Sequence, residues 1–274
     1  MAANAREIHA PQALAQALSL YLRNPTARLV SGGTVLGSEP DPSLPIISLS
    51  SVAELRQMGR TERYLDIGAA VTLNEIIERG ERAMPPLLIN ACKGVATQPV
   101  RNLATLGGNL ACPKRRMTLF PICAALDAQA ELRTESASRW VPVSRLWNDK
   151  AFSLEPFEIL TRIRFPLDSW DVEIARNVGN PQYPDDSSFM YVFLARANRG
   201  ILGDFRLLFS GLQFFRRRDI EGSLIGKRLP LSAVDRSDIL QMYREALALD
   251  ALFLPTLRQA QCLRLLTNDL ELLS

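Results

Sequence analysis

TQPVRNLATLGGNLA, residues 97–111, carries the reading of this chain. Within it, Leu106-Gly107-Gly108-Asn109 places a glycine pair between an apolar residue and a small polar one. LVSGGTVL, residues 29–36, repeats the arrangement as Ser31-Gly32-Gly33-Thr34. Paired glycines accept φ > 0, which aims successive N–H groups into one concavity that holds a phosphate without lysine. Thr34 and Asn109 would add side-chain hydrogen bonds. Two such nests on separate loops suit a pyrophosphate, which presents oxygens on both sides. Taken singly, each pair reads first as a tight turn. No G-x-G-x-x-G accompanies them, so a Rossmann fingerprint is excluded. GSLIGKR (222–228) is one residue short of a P-loop and ends in Arg228 instead of Ser or Thr.

Outward from these motifs the chain alternates helix and strand, as α/β units do. PQALAQALSLYLR (11–23) has helical apolar spacing, Ala27 to Val30 and Ile46 to Leu49 read as strands, and Ser51 is placed to cap a short helix from Val52. Tyr64 to Ala69 is a third strand, Thr72 caps a helix from Leu73, and a helix over 85–92 ends at Lys93-Gly94. Residues 101–110 are turn-rich without a clean period, 120–130 is a buried helix or helix–strand passage, and 130–133 and 159–165 are strand-like. Asp, Asn, Pro and Ser cluster over 168–188 and mark a domain boundary. Beyond it, 206–215 reads as a strand and 231–274 as helical, with Ser232 and Ser237-Asp238 as caps and Pro255 starting or breaking a helix.

Composition narrows the function classes. With 47% hydrophobic and 22% charged residues the chain is an ordinary globular protein. No apolar run approaches the roughly 18 residues of a membrane span, and no secretory signal is visible, so the expected location is cytoplasmic. A net charge of +3 is scattered, and the run Arg216-Arg217-Arg218 is followed at once by Asp219 and Glu221. That reads as a solvated loop or strand end, not a nucleic-acid footprint. Asp185-Asp186, beside Pro184 and Ser187, reads as a solvated turn. Cys92, Cys112, Cys123 and Cys262 lack metal-type spacing and read as reduced thiols. Cys112 has a reactive alternative, since Lys114-Arg115-Arg116 lie close by. His9 is the sole histidine, which removes a Ser-His-Asp triad and a His-rich metal site. Redox chemistry would have to come from a bound organic cofactor.

LVSGGTVL (29–36), PIISLSSVAEL (45–55), LDIGAAVTLNEI (65–76), TQPVRNLATLGGNLA (97–111) and LFPICAALDAQAEL (119–132) together resemble, in order and spacing, the flavoprotein subunits of molybdenum hydroxylases of the xanthine dehydrogenase and carbon monoxide dehydrogenase type. Weaker similarity continues through residues 205–232. The resemblance implies an α+β fold: a two-part FAD-binding domain of the vanillyl-alcohol oxidase type over 1–168, with a break near 60, then a smaller α+β domain over 185–274, helical at its end. It implies that Ser31, Gly32, Gly33, Thr34, Val35 and Leu36, with Thr105, Gly107, Gly108 and Asn109, wrap the FAD pyrophosphate. It further implies a molybdopterin-binding large subunit and a 2Fe-2S small subunit as partners, with electrons passing from iron–sulfur centres to FAD and then to NAD or another acceptor.

The chain departs from the pattern at informative places. Val35 stands where relatives have an acidic residue, and Thr118, which the resemblance also counts among the cofactor-binding residues, falls at the position of their aspartate. The segment Phe193 to Arg199 aligns loosely with a flavin-edge motif whose lysine would be Ala195. These departures favour an alternative, a flavin-free scaffold of the same fold; a stand-alone flavoenzyme or small-molecule reductase is a further one. The cationic run Lys114-Arg115-Arg116 is expected either to support the diphosphate or an anionic acceptor, or to be a solvated loop.

Overall fold

The computed structural model describes residues 7–35, 44–80, 82–112, 118–147, 152–179, 188–211, 214–249 and 256–274. The chain divides into two compact units, Met1–Leu167 and Asp168–Ser274. The first opens with β1 (Ile8–His9), α1 (Leu14–Arg23), β2 (Arg28–Val30) and β3 (Ile46–Ser48). Helix α1 buries Leu14, Ala17 and Leu18, the i, i+3, i+4 stripe of an amphipathic helix. The strands run parallel in the order β1-β3-β2, with Ile46 and Ile47 of the central strand buried. Ser31 therefore leaves the carboxyl end of a parallel strand, where open α/β sheets place their ligands. A 3₁₀ turn, Ala53–Arg56, follows; it starts from Val52 without a side-chain cap, so the cap expected from Ser51 is not made.

Next come β4 (Met58–Arg60), β5 (Tyr64–Gly68), α2 (Leu73–Arg79), α3 (Pro86–Lys93), α4 (Gln98–Arg101), α5 (Leu106–Leu110) and α6 (Leu119–Ala125). The unit closes with β6 (Gln129–Arg133), β7 (Ser138–Pro142) and β8 (Ile159–Pro166). Among the described residues these strands form an antiparallel sheet in the order β4-β5-β8-β6-β7. Ile163 and Phe165 of β8 point to the buried face, while Arg162 and Arg164 alternate to the other. On that second face Asp66 accepts from Arg164 Nε and Nη2 at 2.7 and 2.8 Å, and Arg164 lies between the rings of Tyr64 and Trp140, 5.3 and 4.3 Å from their centroids. Hydrogen bonding from Arg164 holds the Asp66 carboxyl below its usual range. The turn-rich stretch 101–110 is in fact organised: it holds the end of α4 and all of α5, each too short to show a period in sequence.

The second unit contains β9 (Val172–Val178), β10 (Phe189–Asn198), β11 (Ile201–Ser210), β12 (Phe214–Arg216), α7 (Arg218–Leu224), α8 (Ala233–Leu249) and α9 (Thr256–Leu270). Its sheet is an antiparallel meander, β12-β11-β10-β9, with Phe193, Phe205, Leu207 and Phe209 packed in one core with Tyr243 and Leu266. The division falls at the near end of the polar stretch 168–188, whose Val172–Val178 already pairs with β10. Three sequence expectations are corrected here. The strand expected over 206–215 is two strands with a break. Ser237 and Asp238 lie inside α8, while Ser232 Oγ accepts from Asp235 N. Arg216 is no solvated end: it and Glu221 are both 7% exposed and paired at 3.0 Å. Asp219 and Glu221, which in sequence argued for solvation, are the acids that Arg217 and Arg216 bind. Asp185-Asp186 and Pro255 lie outside the described residues. Both units mix helix and sheet, and the fold class is α+β.

Candidate functional site

The loop that leaves β2 is built to keep its amides open. Gly33 has φ +65°, a conformation strained for any other residue, and a Cβ on Gly32 would overlap the backbone carbonyl of Leu103, which must then shift. Among the described residues, the N–H groups of Ser31, Gly32, Gly33 and Thr34 have no acceptor, and Gly33 and Thr34 are exposed. Backbone donors left over in a folded loop must meet water or a ligand. The Ser31 hydroxyl is buried and, among the described residues, makes no hydrogen bond. Val35 is half-buried, and Leu36 lies outside the described residues.

The second glycine pair is built differently. Thr105 caps α5, its hydroxyl accepting from Gly108 N at 3.1 Å. Leu106 N donates to Val71 O at 3.0 Å, Gly107 N to Ala69 O at 2.9 Å and Asn109 N to Thr105 O at 2.9 Å. From the other direction Leu73 N donates to Ala104 O at 2.9 Å. The segment 104–109 is thus laced onto the strip Ala69–Leu73 that follows β5. A Cβ on Gly107 would stand 2.6 Å from Ala69 Cβ and 2.8 Å from Ala69 O. The expectation of a second φ > 0 nest is corrected: Gly107 and Gly108 have negative φ, and their amides are spent within the fold. Glycine is required at 107 for close approach, not for a left-handed turn. Gly108 is exposed, so a side-chain-free surface faces outward there.

These pieces converge. The Gly32 loop rests on Leu103 and Ala104, which lead directly into Thr105. The Asn109 side chain, expected to face a ligand, is buried and accepts from Leu119 N at 3.1 Å, fixing the start of α6 beside Thr118. The Trp147 indole donates to Leu110 O at 3.2 Å and closes the far end of α5. Capping at Thr72 is reciprocal: Glu75 N donates to its hydroxyl and Thr72 N to the Glu75 carboxylate, at 3.2 and 2.7 Å. Ser31–Val35, Thr105, Gly107, Gly108, Asn109 and Thr118 are thus gathered around one framework, and none carries an ionisable side chain. The arrangement can bind and orient an anion through backbone; it offers no proton-transfer group.

Other expectations fall elsewhere. Ala195, which stands where the loose alignment at 193–199 would have a lysine, is in the second unit and packs in that unit's core. Cys112 is buried, which removes the exposure a reactive thiol needs. Burial pushes the Cys92 thiol up to about 12 and Cys123 well above its ordinary value. Lys114-Arg115-Arg116 lies outside the described residues. Among the described residues no cluster of His, Cys, Asp and Glu is placed for a metal, and no helix is long and apolar enough to cross a membrane. Sequence reasoning missed the strip Ala69–Leu73 as a docking surface; its run of small residues, Gly68-Ala69-Ala70, was the available signal.

Comparison with known proteins agrees with this picture. Residues 4–168 match the family model described as FAD binding domain in molybdopterin dehydrogenase. The xanthine dehydrogenase FAD-binding subunit of Escherichia coli O157:H7 is 32% identical over 166 residues, covering 58% of this chain and 56% of that protein. Aldehyde oxidase 2 of Cavia porcellus is 31% identical over 172 residues, covering 57% of this chain and 13% of that protein. The chain thus matches little more than half the length of the first relative and much less of the second. Among solved structures, carbon monoxide dehydrogenase from Hydrogenophaga pseudoflava superposes with TM-score 0.83 at 20% identity, covering 98% of this chain and 96% of that one. Quinoline 2-oxidoreductase from Pseudomonas putida 86 gives TM-score 0.82 at 19% identity, covering 100% and 98%. These last two likenesses speak for the fold. With residues 4–168, more than half of its length, matched by that model, the chain belongs to the family described as FAD binding domain in molybdopterin dehydrogenase.

Proposed function

We propose that this chain is the FAD-binding electron-transfer subunit of a molybdopterin-dependent hydroxylase or dehydrogenase complex. The observation that carries it is the row of unspent amides, Ser31 to Thr34, in a loop seated on Leu103 with Gly33 at positive φ. The residues fit the group: the FAD diphosphate would accept from these amides, while Gly107 and Gly108 supply a wall with no side chain in the way. Thr105 and Asn109 would act from behind, holding that wall in place. Val35 and Thr118, where relatives have acids, would border the bound cofactor without charge. FAD, when bound, supplies the redox chemistry, taking electrons singly and releasing them in pairs. The chain's own part is to bind, orient and tune, which fits a site without an acid or base.

The partners proposed are a molybdopterin-binding large subunit and a 2Fe-2S small subunit, in the cytoplasm, with NAD as one acceptor. The relatives' descriptions as subunits and dehydrogenases support this assignment. Titrating the apoprotein with FAD, read by quenching of flavin fluorescence, tests the cofactor reading. Saturable, stoichiometric quenching is expected. A chain that never takes up FAD, even after co-expression with a large and an iron–sulfur subunit, would favour the flavin-free scaffold instead.

A further inference from the structure

Arg101 is the one charged side chain in the stretch 97–111, and it does not face the loop it belongs to. Its Nη1 donates to three carbonyls, Lys93 O at 3.3 Å, Val95 O at 3.0 Å and Ala96 O at 2.8 Å. Lys93 ends α3, so the guanidinium also sits where the helix dipole favours a cation. Ala96 has φ +44°, a left-handed conformation that is strained for a non-glycine residue. Its carbonyl makes the shortest of the three bonds. The guanidinium thus holds a strained connection shut.

What lies on the other side of Arg101 is the seat of the glycine loop. Its own N–H donates to Thr97 O at 3.0 Å, and Leu103 N and Ala104 N both donate to Val100 O, at 3.1 and 2.7 Å. These bonds make a compact turn over 100–104 that directs the Leu103 carbonyl against Gly32, so closely that no Cβ fits. Leu103 itself is 59% exposed, so side-chain packing contributes little to holding the turn. The turn is fixed by its hydrogen bonds and by the Arg101 anchor.

We propose that Arg101 is a positioning residue of the cofactor site: it anchors the 100–104 turn to the end of α3, and the turn in turn fixes the Gly32–Gly33 loop through the Leu103 carbonyl. This rests on the reading that the Ser31–Thr34 amides hold the FAD diphosphate. Removing the guanidinium leaves three carbonyls without a donor, releases Ala96 from its strained conformation and lets the seat drift. A lysine keeps the charge, but its shorter stem brings the ammonium short of the point where the three carbonyls meet.

The test uses the full chain as apoprotein, with Arg101→Met, Arg101→Lys and, as reference, Gly33→Asp. FAD affinity is measured by fluorescence quenching, the bound flavin's environment by visible circular dichroism, and folding by the thermal melt. Arg101→Met should weaken FAD binding roughly tenfold or more while keeping a cooperative melt, and should alter the dichroism of the flavin it still binds. Arg101→Lys should fall between Met and wild type in both readouts, a rescue that general loosening of the fold would not give. If Arg101→Met fails to fold, Arg101→Lys decides: weakened binding supports the anchor, and wild-type affinity overturns it. Wild-type affinity in the Arg101 variants with FAD lost in Gly33→Asp overturns the anchor alone. Wild-type affinity in all three overturns the site as well.

Discussion

Two glycine pairs that look alike in sequence do opposite things in the fold. Gly32-Gly33 lies in a loop whose amides from Ser31 to Thr34 find no acceptor among the described residues, with Gly33 at φ +65°. Gly107-Gly108 lies in a short helix whose amides are all committed, to Ala69, Val71 and Thr105. The first pair is glycine for the conformation of its own backbone and for the carbonyl lying on it. The second is glycine for the benefit of a neighbour, Ala69, which needs the space. One loop is left open to a ligand; the other is framework.

That contrast can be broken most forcefully at Gly107. Gly107→Ala drives a methyl group into Ala69, whose carbonyl is also the acceptor of Gly107 N–H, so relief on one side costs a bond on the other. Apoprotein stability should fall by about 3 kcal/mol, read by denaturant unfolding. An unchanged midpoint would mean that the second pair is not framework at all.

Gly33→Asp should behave in the reverse way. The left-handed φ costs the apoprotein only about 1 kcal/mol, whereas the carboxylate sits among the amides that would hold the diphosphate. FAD affinity should drop about a hundredfold, some 2.7 kcal/mol, with the fold retained. Equal flavin content in variant and wild type would remove the open loop from the site.

Acid should act on the framework side. Asp66, in the middle of β5 and three residues before the docking strip, has its folded-state carboxyl lowered by Arg164, and Glu158 is lowered in the same way by Arg139. A carboxyl lowered by folding adds stability above its unfolded value, near 4, and loses it as pH falls toward the folded value. Stability should therefore decline below about pH 4.5, and Asp66→Asn should flatten that decline. A variant with the wild-type pH slope would show that the Arg164 pair does not report on this sheet.

The smallest effect is expected at Ser31→Ala. Its hydroxyl is buried without a partner, so removing it should raise apoprotein stability by up to about 1 kcal/mol and leave FAD affinity within about twofold. A large loss of affinity would show that the side chain, and not only the backbone, holds the cofactor.

Most of the first unit was legible because its elements follow local rules. The Leu14–Arg23 stripe, the strand from Tyr64 and the Thr72 cap each depend on residues within a few positions. The glycine motifs were legible as motifs but not as structures. Nothing within LATLGGN reveals that Ala69 and Val71, more than thirty residues earlier, take its amides. Arg216 was misread for the same reason: whether a charge run is solvated depends on where Glu221 folds back, not on composition. β10, as long as β11, overlaps in its second half the segment 193–199 read for cofactor contacts, and its Ala195 packs in the core.

Trp147 gives the framework a voice of its own. Its indole N–H holds the last carbonyl of α5, Leu110 O, so its emission depends on whether that helix is in place. Indole emission overlaps flavin absorption, so a flavin held nearby would also dim it by energy transfer. One buried tryptophan would then report two events with different signs of evidence: a shift in colour when α5 loosens, and a loss of intensity without a shift when the open loop fills. With Trp140 and Trp170 replaced by Phe, so that Trp147 alone of the three tryptophans emits, a single fluorescence trace could separate a variant that has lost its framework from one that has lost only its ligand.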